Sequence, residues 1–165
     1  MHPLTFLISL LLSTIATPLF GKLGERWGMV ARPGGRRQHP RPVSVLGGVG
    51  LFVGFAVTAL ALYLFAPLRP EHRLPLAGVL LGTGFVFLAG LLDDKFEFKA
   101  WPQFVIQFIA SIIAIATTVW IQEVTLPILG FRHFPWYITY PLTIVWVVGM
   151  MNTVNFLDGL DGLAA

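Results

Sequence analysis

The sequence predicts an all-α integral membrane protein, and three observations carry that expectation. Of its 165 residues, 56% are hydrophobic and only 12% are charged, against roughly 25% charged in a typical soluble domain. Mean hydropathy is +0.78, and the apolar residues gather in runs of about 20, the length of a helix that crosses a bilayer. The charged residues collect in the links between those runs. The chain is therefore expected to form a single polytopic membrane domain over residues 1–165. Its five transmembrane helices are expected at about 4–20, 44–65, 76–92, 103–121 and 141–156, and its cytoplasmic loops at about 21–42 and 93–102.

The first run, from about Leu4 to Phe20, competes with a secretory signal. It has no basic segment before it and no small-x-small cleavage site bounded by a mature domain, so a first transmembrane helix is the better reading. The loop that follows holds Lys22, Arg26, Arg32, Arg36, Arg37, Arg41 and His39, with Glu25 as its one acid. Prolines at 33, 40 and 42 and glycines at 34 and 35 exclude a long helix across its second half. Its charge is explained by topology alone, since Lys and Arg hold loops in the cytoplasm. Closely spaced Arg32, Arg36 and Arg37 with His39 would also suit phosphate oxygens, which guanidinium groups grip in bidentate fashion.

The second run opens on Gly47-Gly48 and carries Gly50 and Gly54 one turn apart, a small-residue face suited to close helix packing. The third ends on Asp93-Asp94. Two neighbouring carboxylates at a membrane boundary repel one another unless a cation or ammonium group lies between them. They are either solvated interfacial charges beside Lys95 and Lys99 or ligands for a hard cation such as Mg²⁺. The fourth run carries Gln103 and Gln107 one turn apart, better read as interhelical hydrogen-bonding groups than as ligands. Residues 122–140 form an aromatic link suited to the interface. There His133 reads as interfacial, because the one nearby acid in sequence is the distant Glu123.

The last stretch is the most informative. Asn152, Asn155, Asp158 and Asp161 arrive at the end of a long apolar run, where polar groups are costly unless paired, wet or bound to something. Their three-residue spacing drifts by about 60° per step on a helix, so one narrow face cannot hold all four. Gly159 and Gly162 would let the helix unwind and turn both carboxylates toward one pocket, or would simply end it. Eight Lys and Arg residues lie in the loops at 21–42 and 93–102, against three in the links at 66–75 and 122–140. Positive-inside bias then places the N-terminus outside and the C-terminus in the cytoplasm. The basic loop, the acidic pair and the Asn/Asp stretch are thus all expected at the cytoplasmic face.

Arg32-Pro33 through Arg36-Arg37, His39-Pro40 and Pro42 into Gly47-Gly48, then Leu91-Leu92-Asp93-Asp94, then Asn152 to Ala164 form three ordered motifs. Together they resemble the polyprenyl-phosphate N-acetylhexosamine-1-phosphate transferase family, over the whole chain and closest to its GlcNAc-1-phosphate branch. The resemblance implies an inner-membrane enzyme that moves a sugar phosphate from a UDP-N-acetylhexosamine to undecaprenyl phosphate and releases UMP. It implies Mg²⁺, with Mn²⁺ as the alternative, held by Asp93, Asp94 and Asp158. Asp93, Asp94, Asp158 and Asp161 would be catalytic, and Asn152, Asn155, Arg32, Arg36, Arg37 and His39 substrate-binding. A homodimer is a candidate assembly, and nucleic acid is not an expected partner. Family members continue through about twice as many spans, so the chain is expected to be an N-terminal fragment, incomplete at its C-terminus and inactive alone. Two other classes are a non-catalytic truncated membrane partner and a small transporter or lipid-carrier subunit. The transporter is disfavoured because every acid lies at a span end or in a loop.

Overall fold

The computed structural model describes residues 2–28, 30–31, 43–44, 46–126 and 130–157. Five helices dominate it: α1 (His2–Arg26), α2 (Gly47–Phe65), α3 (Pro70–Phe96), α4 (Ala100–Ala116) and α5 (Trp136–Leu157). Two short antiparallel pairs join them. Strands β1 (Val30–Ala31) and β2 (Val43–Ser44) pair between α1 and α2, and β3 (Glu123–Leu126) and β4 (Gly130–His133) form a hairpin between α4 and α5. The expected all-α membrane class holds. Among the described residues α1, α2, α3 and α5 are long and apolar enough to cross a membrane. The 17 residues of α4 rise only about 26 Å, the lower limit for a span. The chain divides into two compact units, Met1–Pro67 and Leu68–Ala165.

In the first unit α1 runs six residues past its expected end, through Pro18 and the Lys22 to Arg26 turn. It stops where Gly28 takes a positive φ of 70°, the left-handed conformation that commonly closes a helix. Lys22, Glu25 and Arg26 are therefore helical rather than part of a loop. Gly24 is buried, and a Cβ there would meet Ser44 and Leu46. Helix α2 lies against α1 through small residues on both sides. A Cβ on Gly50 would collide with the Thr17 backbone, and one on Gly54 with Ser13 and the Ser9 carbonyl. The Gly50/Gly54 face thus does pack a helix, and Ser9, Ser13 and Thr17, spaced by one turn, are its counterpart.

In the second unit α3 starts six residues before its expected span. Pro70 sits in its first turn and Glu71 beside it, both favourable there. The helix carries Asp93 and Asp94 in its last turns and ends at Glu97, a non-glycine residue with φ 48°. Three residues later α4 begins. At the other end of α4 the chain comes close to α3, where a Cβ on Gly78 would strike the side chain of Thr117, the residue that follows the helix. Helix α4 ends earlier than expected, at Ala116, because the β-branched Thr117-Thr118-Val119 follow and Thr118 adopts φ 62°. Thr143 of α5 then accepts a hydrogen bond from the Ile121 amide at 3.0 Å.

The hairpin was not foreseen in the aromatic link, although Val124-Thr125 is strand-favouring and Gly130 takes φ 70°. Its register sets Glu123 opposite His133, and the two side chains meet at 3.1 Å. Glu123 is distant from His133 only along the chain.

Candidate active site

Polar side chains of three helices converge in the second unit, and α4 is the element that links them. Asp93 reaches α4 from the end of α3. Its Oδ2 accepts a hydrogen bond of 2.8 Å from Gln103 Nε2, and its Oδ1 accepts one of 2.7 Å from the Phe98 amide. The left-handed turn at Glu97 brings that amide back toward the helix end. Glu97 in turn donates its own amide to the Asp93 carbonyl at 2.7 Å. One turn further along α4, Gln107 meets Asn152 of α5. Asn152 Nδ2 donates to Gln107 Oε1 at 2.8 Å, and Gln107 Nε2 donates to Asn152 Oδ1 at 3.4 Å. Gln107 is only 7% exposed, and the fully buried Ser111 donates to its carbonyl at 2.8 Å. Both Gln residues therefore make the interhelical bonds expected of them.

These groups border a cleft of about 430 Å³ lined by Ala100, Trp101, Gln103, Phe104, Gln107 and Asn152. The Trp101 and Phe104 rings lie 6.2 Å apart and nearly parallel, giving the cleft an aromatic wall beside its amides. An apolar and aromatic surface with a few convergent polar groups is the usual make-up of a small-molecule site.

Asp93 and Asp94 point apart, as adjacent helical positions must at about 100° per residue. Asp93 is half-buried and tied to α4, while Asp94 is exposed. Their repulsion is thus relieved by divergence and by the two donors on Asp93. Asn152 joins the cleft, and Asn155 is exposed on α5. Arg32, Arg36, Arg37, His39, Asp158 and Asp161 lie outside the described residues. Among the described residues no group of three or more His, Cys, Asp or Glu could hold a metal ion. The Asp93 carboxylate fits Mg²⁺, which prefers hard oxygen ligands and commonly takes one or two from protein and the rest from water and substrate phosphates, whereas Asp94 would have to turn to join the same ion. Gln103, Gln107, Trp101 and Phe104 were not expected as site residues. The spacing of the two Gln residues on an otherwise apolar helix was the available signal.

Residues 76–165, more than half of the chain, match the model of the family described as Glycosyl transferase family 4. The chain belongs to that family. A Bacillus subtilis (strain 168) member named "Probable undecaprenyl-phosphate N-acetylglucosaminyl 1-phosphate transferase" is 32% identical over 160 residues, 97% of this chain and 43% of that protein. The decaprenyl-phosphate N-acetylglucosaminephosphotransferase of Mycolicibacterium smegmatis is 30% identical over 163 residues, 96% of this chain and 40% of that protein. A Thermotoga maritima protein named undecaprenyl-phosphate alpha-N-acetylglucosaminyl 1-phosphate transferase is 28% identical over 153 residues, 93% of this chain and 44% of that protein. The chain thus spans less than half the length of these family 4 relatives. No solved structure matches it. The family match takes in α4, α5 and most of α3, from residue 76 on.

Proposed function

We propose that this chain belongs to a phosphoglycosyl transferase that moves an N-acetylhexosamine 1-phosphate, GlcNAc 1-phosphate in the favoured reading, from its UDP-sugar to undecaprenyl phosphate. A lipid phosphate oxygen attacks the sugar-bearing phosphorus of the donor, the bond between the two donor phosphates breaks, and UMP leaves. The lipid diphosphate sugar that remains would begin a cell-envelope polysaccharide. The printed names of the family 4 relatives supply the substrate class. The observation that carries the reading on this chain is the Asp93 carboxylate, fixed by Gln103 on the helix whose next turn holds Asn152 in an aromatic-walled cleft.

The chain's own groups have clear tasks in such a reaction. Asp93, held by two donors, presents oxygens whose remaining lone pairs are aimed by the Gln103 and Phe98 contacts rather than left to rotate. Asn152 orients the donor substrate from α5. Asp158 and Asp161 would act as catalytic carboxylates beside them, and Asn155 would bind substrate. Arg32, Arg36, Arg37 and His39 suit the phosphates by chemistry alone. A divalent cation held by Asp93, Asp94 and Asp158 would supply neutralisation of charge on the donor diphosphate. By positive-inside bias, the reaction takes place at the cytoplasmic face of the inner membrane.

The test is transfer of radiolabelled GlcNAc 1-phosphate to undecaprenyl phosphate by the full natural protein in membranes. Product is expected with Mg²⁺ or Mn²⁺, should disappear with a chelator and should return when the ion is restored. Membranes with well-folded protein and no lipid-linked product would refute the reading and favour a non-catalytic membrane partner.

A further inference from the structure

Asn152 has its two amide hydrogens and its oxygen in unequal situations. Nδ2 donates to the Val148 carbonyl at 2.8 Å and to Gln107 Oε1 at 2.8 Å, so both of its hydrogens are used within the fold. Oδ1 receives only the long 3.4 Å contact from Gln107 Nε2. The assignment of nitrogen and oxygen is forced rather than free, because the Val148 carbonyl can only accept and must face the Asn152 nitrogen. That in turn fixes which end of the Gln107 amide faces Asn152. The side chain of Asn152 therefore enters the cleft committed as an acceptor, with its donor capacity spent. An acceptor suits a hydroxyl or N–H of a ligand and does not suit a phosphate oxygen.

We infer that Gln107 is a positioning residue: it holds the Asn152 amide so that Oδ1 is offered to an O–H or N–H donor on the sugar-nucleotide substrate. The inference rests on the transferase reading above and deepens it by dividing recognition between donor groups of the substrate, read by Asn152, and phosphates, read elsewhere. Nothing in Gln107 itself needs to touch substrate. Its burial and its bond to Ser111 through the backbone make it a fixed point on α4, and its reach to α5 is what restrains Asn152.

The experiment is a double-mutant cycle on equilibrium binding of UDP-GlcNAc to the full natural protein in detergent. Gln107→Met keeps length and removes the acceptor, and should weaken binding about tenfold, the loss of roughly one well-placed hydrogen bond. Gln107→Glu keeps an oxygen facing Asn152 Nδ2 and should stay within about threefold of the parent. Asn152→Leu should weaken binding at least as much as Gln107→Met. The double variant should bind no worse than Asn152→Leu alone, since Gln107 acts through Asn152. Should Gln107→Met fail to accumulate in membranes, Gln107→Ala carries the same expectation. Unchanged affinity in the Gln107 variants, or effects that add in the double variant, would overturn the role of Gln107 while leaving the transferase reading intact. A parent protein that binds no UDP-GlcNAc would overturn both.

Discussion

In the proposed reaction Asp93 is the residue on which the chemistry turns, and its surroundings make distinct variants separable. In Asp93→Asn the side-chain oxygen can still accept from the Phe98 amide, and the Gln103 amide can turn its Oε1 toward the new NH₂, so both contacts can be kept while the charge is lost. Stability should therefore change little, by about 1 kcal/mol or less, while transfer should fall by at least about 100-fold through loss of the charge. Membrane abundance and thermal melting of the variant, measured beside its transfer rate, separate the two. Equal loss of folded protein and of rate would make Asp93 structural only. Gln103→Leu should act more mildly, on the order of tenfold in rate, because Asp93 keeps its Phe98 contact and its charge. The acidic pair was legible in the sequence because two charges at the end of an apolar run have no packing role. The amides that hold it were legible only as polar residues on a helix. Which partners they choose depends on the facing of α3, α4 and α5, and no local pattern encodes that.

At the level of elements the helices were legible and their ends were not. Apolar run length sets where a span must exist, but the end of a helix is set by local backbone chemistry. Pro70 lies in the expected link at 66–75, yet in the first turn of a helix a missing N–H costs nothing and α3 starts there. Thr118 and Glu97 adopt left-handed conformations that neither residue type signals. The β3–β4 hairpin was hidden for a similar reason, since four-residue strands leave too short a pattern to stand out from an aromatic interface. The glycine face of α2 is the element whose role can be measured most directly. Gly54→Leu should drive a side chain into Ser13 and the Ser9 carbonyl, whereas nothing lies within 4 Å of a Cβ added at Gly84 of α3. Overpacking at such a contact costs on the order of 1–3 kcal/mol. Gly54→Leu is therefore expected to lower the melting temperature in detergent by several degrees and Gly84→Leu to leave it nearly unchanged. Equal behaviour of the two variants would mean that α1 and α2 do not depend on that face.

For the molecule as a whole, composition sets the solvent, and the direction of insertion is the expectation that an experiment can test. Helix α3 states the problem on its own, because Glu71, His72 and Arg73 lie at one end and Asp93, Asp94 and Lys95 at the other. Positions 74–92 between them carry no charge and rise about 28 Å, close to the ~30 Å of a bilayer core. If α3 crosses the bilayer its two ends face opposite sides of the membrane, and one measurement on this single helix sets its orientation. By the positive-inside expectation drawn from the loop charges, the Lys95 end is expected in the cytoplasm. These 165 residues contain no cysteine, so, with any cysteine elsewhere in the protein replaced by serine, Arg73→Cys and Lys95→Cys each place one thiol at an exposed position. A membrane-impermeant maleimide added to intact cells should label the cysteine at 73 and reach the one at 95 only after the membrane is opened. The opposite pattern would put Asp93 outside the cell, away from the cytoplasmic pool of nucleotide sugars. An Asp93 facing that pool is a requirement of the proposed reaction, so inverted labelling would reject the transferase reading without any assay of transfer.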